Sequence, residues 1–273
     1  MLLASPKPDW SSLLAAIVYV LVRLSVVVAL APFFSSPALP VRTRAVFVLV
    51  VSFLLIPVTT AAVSAASPAT ISFSGLLGEV AVGAIYGLTL SLFSEMLLLA
   101  GQITGLQFSF SLVNLLDPAS EIQTPLLGDL FQIFGTLLVI TAGLDHILLA
   151  SLVRSLHAVP PGSFPLAAVP GTAKTLVPML SGSFFAALEL AAPVLAATML
   201  VEIAVALLGK LSPQLPVISL TVPLKTLTGF VLLIGALALW PRFIETRFAG
   251  LLDAAERMIA QGVNSAAGHG AGR

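Results

Sequence analysis

The residues able to do chemistry in this chain are few and widely spaced. Four glutamates, Glu79, Glu95, Glu189 and Glu202, and two cations, Arg23 and Lys225, fall inside long apolar runs. Ionised groups are costly in hydrocarbon and face protein or water there, so these residues mark either an ion path or ion pairs. The acids form no compact cluster in sequence, which favours pairing with Arg23, Lys225 or a partner subunit. Asp145-His146 fits a proton-responsive couple or an ordinary solvated helix end. A serine such as Ser151 near them lacks the spacing of a nucleophile arrangement, and no phosphate-cradling or dinucleotide glycine loop is present. With no cysteine, thiolate chemistry and Cys-based metal sites are excluded, and the three histidines show no metal-ligand spacing. No catalytic, cofactor-binding or metal residue is expected; the chain does not read as an enzyme.

The stretch Gly101 to Gly128, GQITGLQFSFSLVNLLDPASEIQTPLLG, stands out instead. Gly101 and Gly105 flank polar Gln102 and Thr104, followed by an apolar cluster from Phe108 and Phe110 to Leu116 and the turn Asp117-Pro118-Ala119-Ser120. Such a segment is too greasy for bulk water and too polar for lipid, so its home is inside protein or along a passage. A re-entrant loop that merely packs and an apolar closure of a pore both fit.

These residues must be positioned by membrane helices. Of 273 residues, 58% are hydrophobic and only 9% charged, against about 25% charged in soluble domains. Mean hydropathy is +1.11. Net charge is zero with no basic cluster, which argues against nucleic-acid binding. The apolar runs predict an all-α, polytopic membrane protein of about six long, partly broken helices arranged as hairpins, at approximately 11–34, 45–63, 75–100, 126–157, 176–208 and 217–240. Asp9 or a serine caps the first run. Pro57 breaks the second and Pro193 the fifth. The fourth is too long for one straight span, so a tilt, a break or a protruding end is expected. The Pro/Gly-rich link 158–175 cannot be one regular element, and Ser212-Pro213-Gln214-Leu215-Pro216 predicts a tight hairpin.

In the third run Glu79, Gly83, Gly87, Ser91 and Glu95 recur every fourth residue. Small residues at that spacing let a second backbone approach closely, so Gly83, Gly87 and Gly101 are read as helix-packing positions. Residues 1–241 form the expected membrane domain. The remainder, 242–273, reads as a cytoplasmic amphipathic helix carrying Phe248, Leu251, Leu252, Ala255, Met258 and Ile259 on one side, with a disordered GHGAGR end. Arg42 and Arg44 anchor a helix end at headgroups, and the basic residues favour both termini in the cytoplasm.

The ordered set of motifs resembles the FliR family of type III secretion export gates, related to the SctT proteins of injectisomes. The resemblance runs through Arg23 with Ala31-Pro32, Pro40 and Arg42, Glu79 with Gly83 and Gly87, and Gly105-Leu106-Gln107. It continues through Asp117-Pro118-Ala119-Ser120, Pro125-Leu126-Leu127, Gly143 with His146, the link Leu156 to Gly162, Pro213-Gln214-Leu215 and Pro223-Leu224. Departures are Phe108-Ser109 in place of Met-Gly, Gln102 where Glu is common, Glu202 where Asn is frequent, and Ala206 where Gly is frequent. The Gly-Leu-Gln and Asp-Pro-Ala-Ser wording favours the flagellar branch.

The resemblance implies a structural subunit of a helical, conical gate in the bacterial inner membrane, within the flagellar basal body. FliP-like and FliQ-like subunits, an FlhB-like switch protein and an FlhA-like export protein are the implied partners, and unfolded secreted proteins the cargo. Gly105, Leu106, Gln107, Phe108, Phe110, Asp117 and Pro118 would form the plug loop. Two other readings stand beside it, an injectisome subunit of the SctT type and an ion-coupled secondary transporter working through Glu79 and Glu95. No internal repeat supports the transporter.

Overall fold

The structure, a computed structural model, describes residues 10–35, 39–59, 71–108, 126–212 and 217–270. Among these there is no β-strand. The helices are α1 (Trp10–Leu30), α2 (Pro32–Ser35), α3 (Val41–Leu54), α4 (Phe73–Gln107), α5 (Leu126–Thr141), α6 (Leu144–Ala158), α7 (Val169–Leu211), α8 (Val217–Ala236) and α9 (Trp240–Gly270), with a 3-10 turn at Leu166–Ala168 before α7. The chain is a polytopic, all-α membrane protein. Four stretches are long and apolar enough to cross a membrane, Trp10–Leu30, Phe73–Gln107, Leu166–Leu211 and Ser219–Ala236; the broken pair α5–α6 makes a fifth if it counts as one span.

Of the six expected runs, the second is described only in part: it forms the 14-residue α3 and a helical turn at 56–59, and residues 60–63 lie outside the described residues. Pro193 does not interrupt the fifth run: α7 is helical through Pro170, Pro178 and Pro193. Proline removes one backbone donor, and apolar membrane helices absorb that loss more readily than soluble ones do. The fourth run breaks at Gly143, whose φ of +69° puts it in the left-handed region at the start of α6. Glycine carries no Cβ to oppose that conformation. The expected irregular link ends at Ala168 rather than residue 175, since α7 begins at Val169. Asp9 and Pro213 to Pro216 lie outside the described residues.

The chain divides into two compact units. Unit one comprises residues 1–92, 143–180 and 248–273. In it α1 and the first part of α4 run parallel: Tyr19 meets Ser72 and Gly75, Arg23 meets Glu79, Val26 meets Gly83, and Leu30 meets Gly87 and Ser91. Parallel neighbours oblige the chain between them to return, and α3 packs on α1 within that return. Ser72 caps α4, its Oγ accepting the Gly75 N–H at 3.0 Å.

The small-residue stripe of α4 explains the close approach. A Cβ on Gly83 would lie 2.6 Å from the Arg23 carbonyl, and one on Gly87 2.6 Å from Leu30 Cβ. This stripe therefore receives α1 of the same chain. The α9 face formed by Phe248, Leu252, Ala255, Met258 and Ile259 is buried, with Leu251 at its edge, so the amphipathic tail spends its apolar side inside unit one. Its helix extends through Gly268 and His269 to Gly270.

Unit two comprises residues 93–142 and 181–247. Here the end of α4 and α5 form an antiparallel hairpin, with Gly101 against Leu127-Gly128 and Gly135 against Leu97. A second hairpin pairs α7 with α8 through Glu202 and Lys225. Phe131 meets Trp240 edge-on at 4.6 Å between ring centroids.

Candidate functional site

Two arrangements hold most of the singled-out residues, one in each unit. In unit one the sequence supplies an arginine on α1 and a glutamate on α4, and parallel packing brings them together. Arg23 is 1% exposed and Glu79 fully buried. Arg23 Nε donates to Glu79 Oε2 at 2.6 Å and Nη2 to Oε1 at 3.1 Å. The remaining guanidinium donors reach Ser155 Oγ at 3.0 Å and the Val159 carbonyl at 3.2 Å, while Gly162 N–H donates to Glu79 Oε1 at 2.8 Å. Gly162 has φ +78°, and a Cβ there would strike the Tyr19 ring at 2.6 Å. A buried bidentate pair with its outer valences filled is a rigid, charge-neutral joint between α1, α4 and the end of α6.

A second polar chain in the same unit was not legible in the sequence. Tyr86 Oη donates to the Ser151 carbonyl at 3.0 Å, and Ser151 Oγ donates to Glu256 Oε1 at 2.5 Å. Arg154 reaches that same oxygen from Nη2 at 2.8 Å. Burial pushes the Glu256 carboxyl up, but the hydrogen bonds from Arg154 and Ser151 outweigh it and hold it below the ordinary carboxylate value. The amphipathic period placed Glu256 on the polar side of α9; no signal tied it to Ser151. The His146 ring lies 3.1 Å from Asp145, both side chains well exposed at the start of α6.

In unit two the described parts of the central stretch are the end of α4 through Phe108 and the first residues of α5, Leu126 to Gly128. The helix is unbroken through Gly101 and Gly105 to Gln107, so neither glycine marks a bend. Gly101 is a close-approach position: an added Cβ would fall 2.6 Å from Gly128 Cα. A Cβ on Gly105 would make ordinary contact with Leu127 at 3.7 Å. Leu106 is exposed, whereas Gln107 Oε1 accepts from Thr198 of α7 at 3.2 Å. Phe108 is buried, stacked on Phe230 of α8 at 4.8 Å and seated against Gly229, which has no side chain to obstruct it. The chain is thus held where it leaves α4 by facing positions of the α7–α8 hairpin. Phe110, Asp117 and Pro118 lie outside the described residues.

One turn from this seat the buried Lys225 ammonium bonds to the half-exposed Glu202 carboxylate. Glu189 pairs likewise with Arg247, whose guanidinium lies 5.3 Å from the centre of the Phe243 ring. Glu95 is exposed on α4. No group of His, Cys, Asp and Glu suited to a metal ion occurs among the described residues.

Residues 14–251 match the family model described as bacterial export proteins, family 1. The chain belongs to the FliR family of bacterial export proteins. It is similar to flagellar biosynthetic protein FliR of Escherichia coli (strain K12), 26% identical over 256 residues that cover 93% of this chain and 96% of that protein. The protein of the same name from Caulobacter vibrioides is 28% identical, over 88% of this chain and 94% of its own. That from Bacillus subtilis (strain 168) is 27% identical over 65% and 70%. The FliR family match spans the Arg23–Glu79 joint, the central stretch and the α7–α8 hairpin; it ends at Leu251, short of Glu256.

Proposed function

We propose that this protein is a structural, non-catalytic subunit of the flagellar type III protein export gate, assembling with FliP-like and FliQ-like subunits into a channel for unfolded flagellar proteins. The observation that carries this reading is the similarity to flagellar biosynthetic FliR proteins along 93% of the chain. The geometry supports it in two ways. Arg23 and Glu79 neutralise one another in a filled network, which suits a joint better than a proton relay. The central stretch leaves α4 through a seat at Gln107 and Phe108 and rejoins the fold at Leu127-Gly128 against Gly101, and an apolar segment held at its ends suits a plug that closes a pore by excluding water.

In this reading Gly105 to Phe108, Phe110, Asp117 and Pro118 belong to the plug and its turn. Gly83, Gly87 and Gly101 set helix packing, and Arg23, Glu79, Glu95, Glu202 and Lys225 carry the intramembrane charge. The assembly lies in the bacterial inner membrane at the flagellar basal body. The end of α9 faces the cytoplasm, where FlhB-like and FlhA-like proteins act. Co-expression with FliP-like and FliQ-like subunits tests the proposal. One stable particle containing all three is expected, and the chain alone should be unstable. A well-behaved, fully active monomer would overturn it.

A further inference from the structure

Glu95 stands apart from the other acids of the apolar helices α4 to α7. Glu79 is paired with Arg23, Glu189 with Arg247 and Glu202 with Lys225. Asp129 and Asp145 occupy the first turns of α5 and α6, where free backbone amides favour a carboxylate. Glu95 has neither help. It lies 12 residues before the end of α4, is exposed, and has no cation beside it among the described residues. Leu92, Phe93 and the run Met96 to Ala100 flank it. Gln102, seven residues on, is exposed as well, and Leu106 one turn beyond is 65% exposed. Residues 95, 98, 99, 102 and 106 share one side of a helix. The described part of unit two therefore presents an outward stripe of apolar residues with a carboxylate and an amide set into it.

We infer that this stripe is a contact with a helix of a second polypeptide that places a lysine or arginine against Glu95 and a hydrogen-bonding side chain against Gln102. Lipid tails offer neither group, and an ionised carboxylate facing hydrocarbon is strongly unfavourable. Charge complementarity follows the rule already visible in this chain, where each of the other three glutamates in α4 and α7 meets a cation. The inference rests on the gate-subunit reading, because it needs an assembly to supply the helix.

The test compares the unaltered chain with Glu95→Lys, Glu95→Gln and Gln102→Leu, each co-expressed with FliP-like and FliQ-like subunits. The readout is the ratio of assembled to total chain in detergent, so altered abundance of a variant does not enter. Charge reversal should lower that ratio about tenfold or more, with smaller losses for the other two, and a compensating Lys→Glu or Arg→Glu change in a partner helix should restore it. Because the chain has no native cysteine, Glu95→Cys adds an independent arm. In the native assembly this cysteine should resist a polar maleimide, and the indole of Glu95→Trp, in a chain with Trp10 and Trp240 replaced by Phe, should escape quenching by brominated lipid. Rapid maleimide labelling would mean a water-lined position, and strong lipid quenching a lipid-facing one; either overturns the inference. So does assembly of Glu95→Lys at the unaltered ratio. If the unaltered chain forms no assembly, the gate-subunit reading itself fails, a separate result.

Discussion

The Glu79 carboxylate grips Arg23 through two hydrogen bonds, of 2.6 and 3.1 Å, where neither side chain reaches solvent. Ser155, Val159 and Gly162 fill the remaining valences, which makes the pair a joint of three chain segments 56 to 136 residues apart in sequence.

Breaking that joint on one side strands a buried charge. Arg23→Met or Glu79→Met should each destabilise the chain by about 3–5 kcal/mol, whereas the double replacement should cost much less than their sum. Thermal unfolding in detergent, arranged as a double-mutant cycle, checks this. Additive losses would mean the two groups do not act as a pair.

Glycines separate by what lies over them. Gly83→Ala and Gly101→Ala force backbone against backbone and should each lower the melting temperature by several degrees. Gly182→Ala, with nothing within 4 Å, should be neutral or stabilising by about 0.5–1 kcal/mol. Equal effects at all three positions would contradict the packing described.

Phe108 joins the fold to the proposed plug. Phe108→Ala should loosen the seat on Phe230 and make the assembled pore leaky to small ions, and Phe230→Ala should reproduce the leak without touching the central stretch. Ion conductance of reconstituted particles decides it; tight pores in both variants would remove this ring pair from closure.

Glu256 gives the pH dependence. Its carboxyl is held below the ordinary value near 4.5, so its contribution to holding α9 is complete above that value. The contribution is lost as pH falls through the lowered folded value, because protonation removes the acceptor charge from Arg154 and Ser151. Protection factors along α9, the exchange rates divided into the intrinsic rate at each pH, should therefore fall at acidic pH in the unaltered chain, and Glu256→Gln should show low protection already at neutral pH. A variant indistinguishable from the parent at neutral pH would argue against Glu256 holding α9 through Ser151 and Arg154.

Hydropathy and residue spacing were enough to establish a helical membrane protein and the stripe on α4, because each depends on neighbours a few positions away; for the fourth run they left a tilt, a break or a protruding end open. From Glu79 to Gly87 the stripe marked a face of α4 that is buried, whereas its last member, Glu95, is exposed; the helix is apolar on its other sides, and there its residue types give no direction. That Arg23 would choose Glu79 over Glu202, that Ser151 would reach Glu256 across 105 residues, and that Gly229 would open a seat for Phe108 depended on which helices became neighbours. Those pairings are set by packing of distant segments, since a charge buried in an apolar surrounding takes the partner geometry delivers, and no local pattern records that geometry.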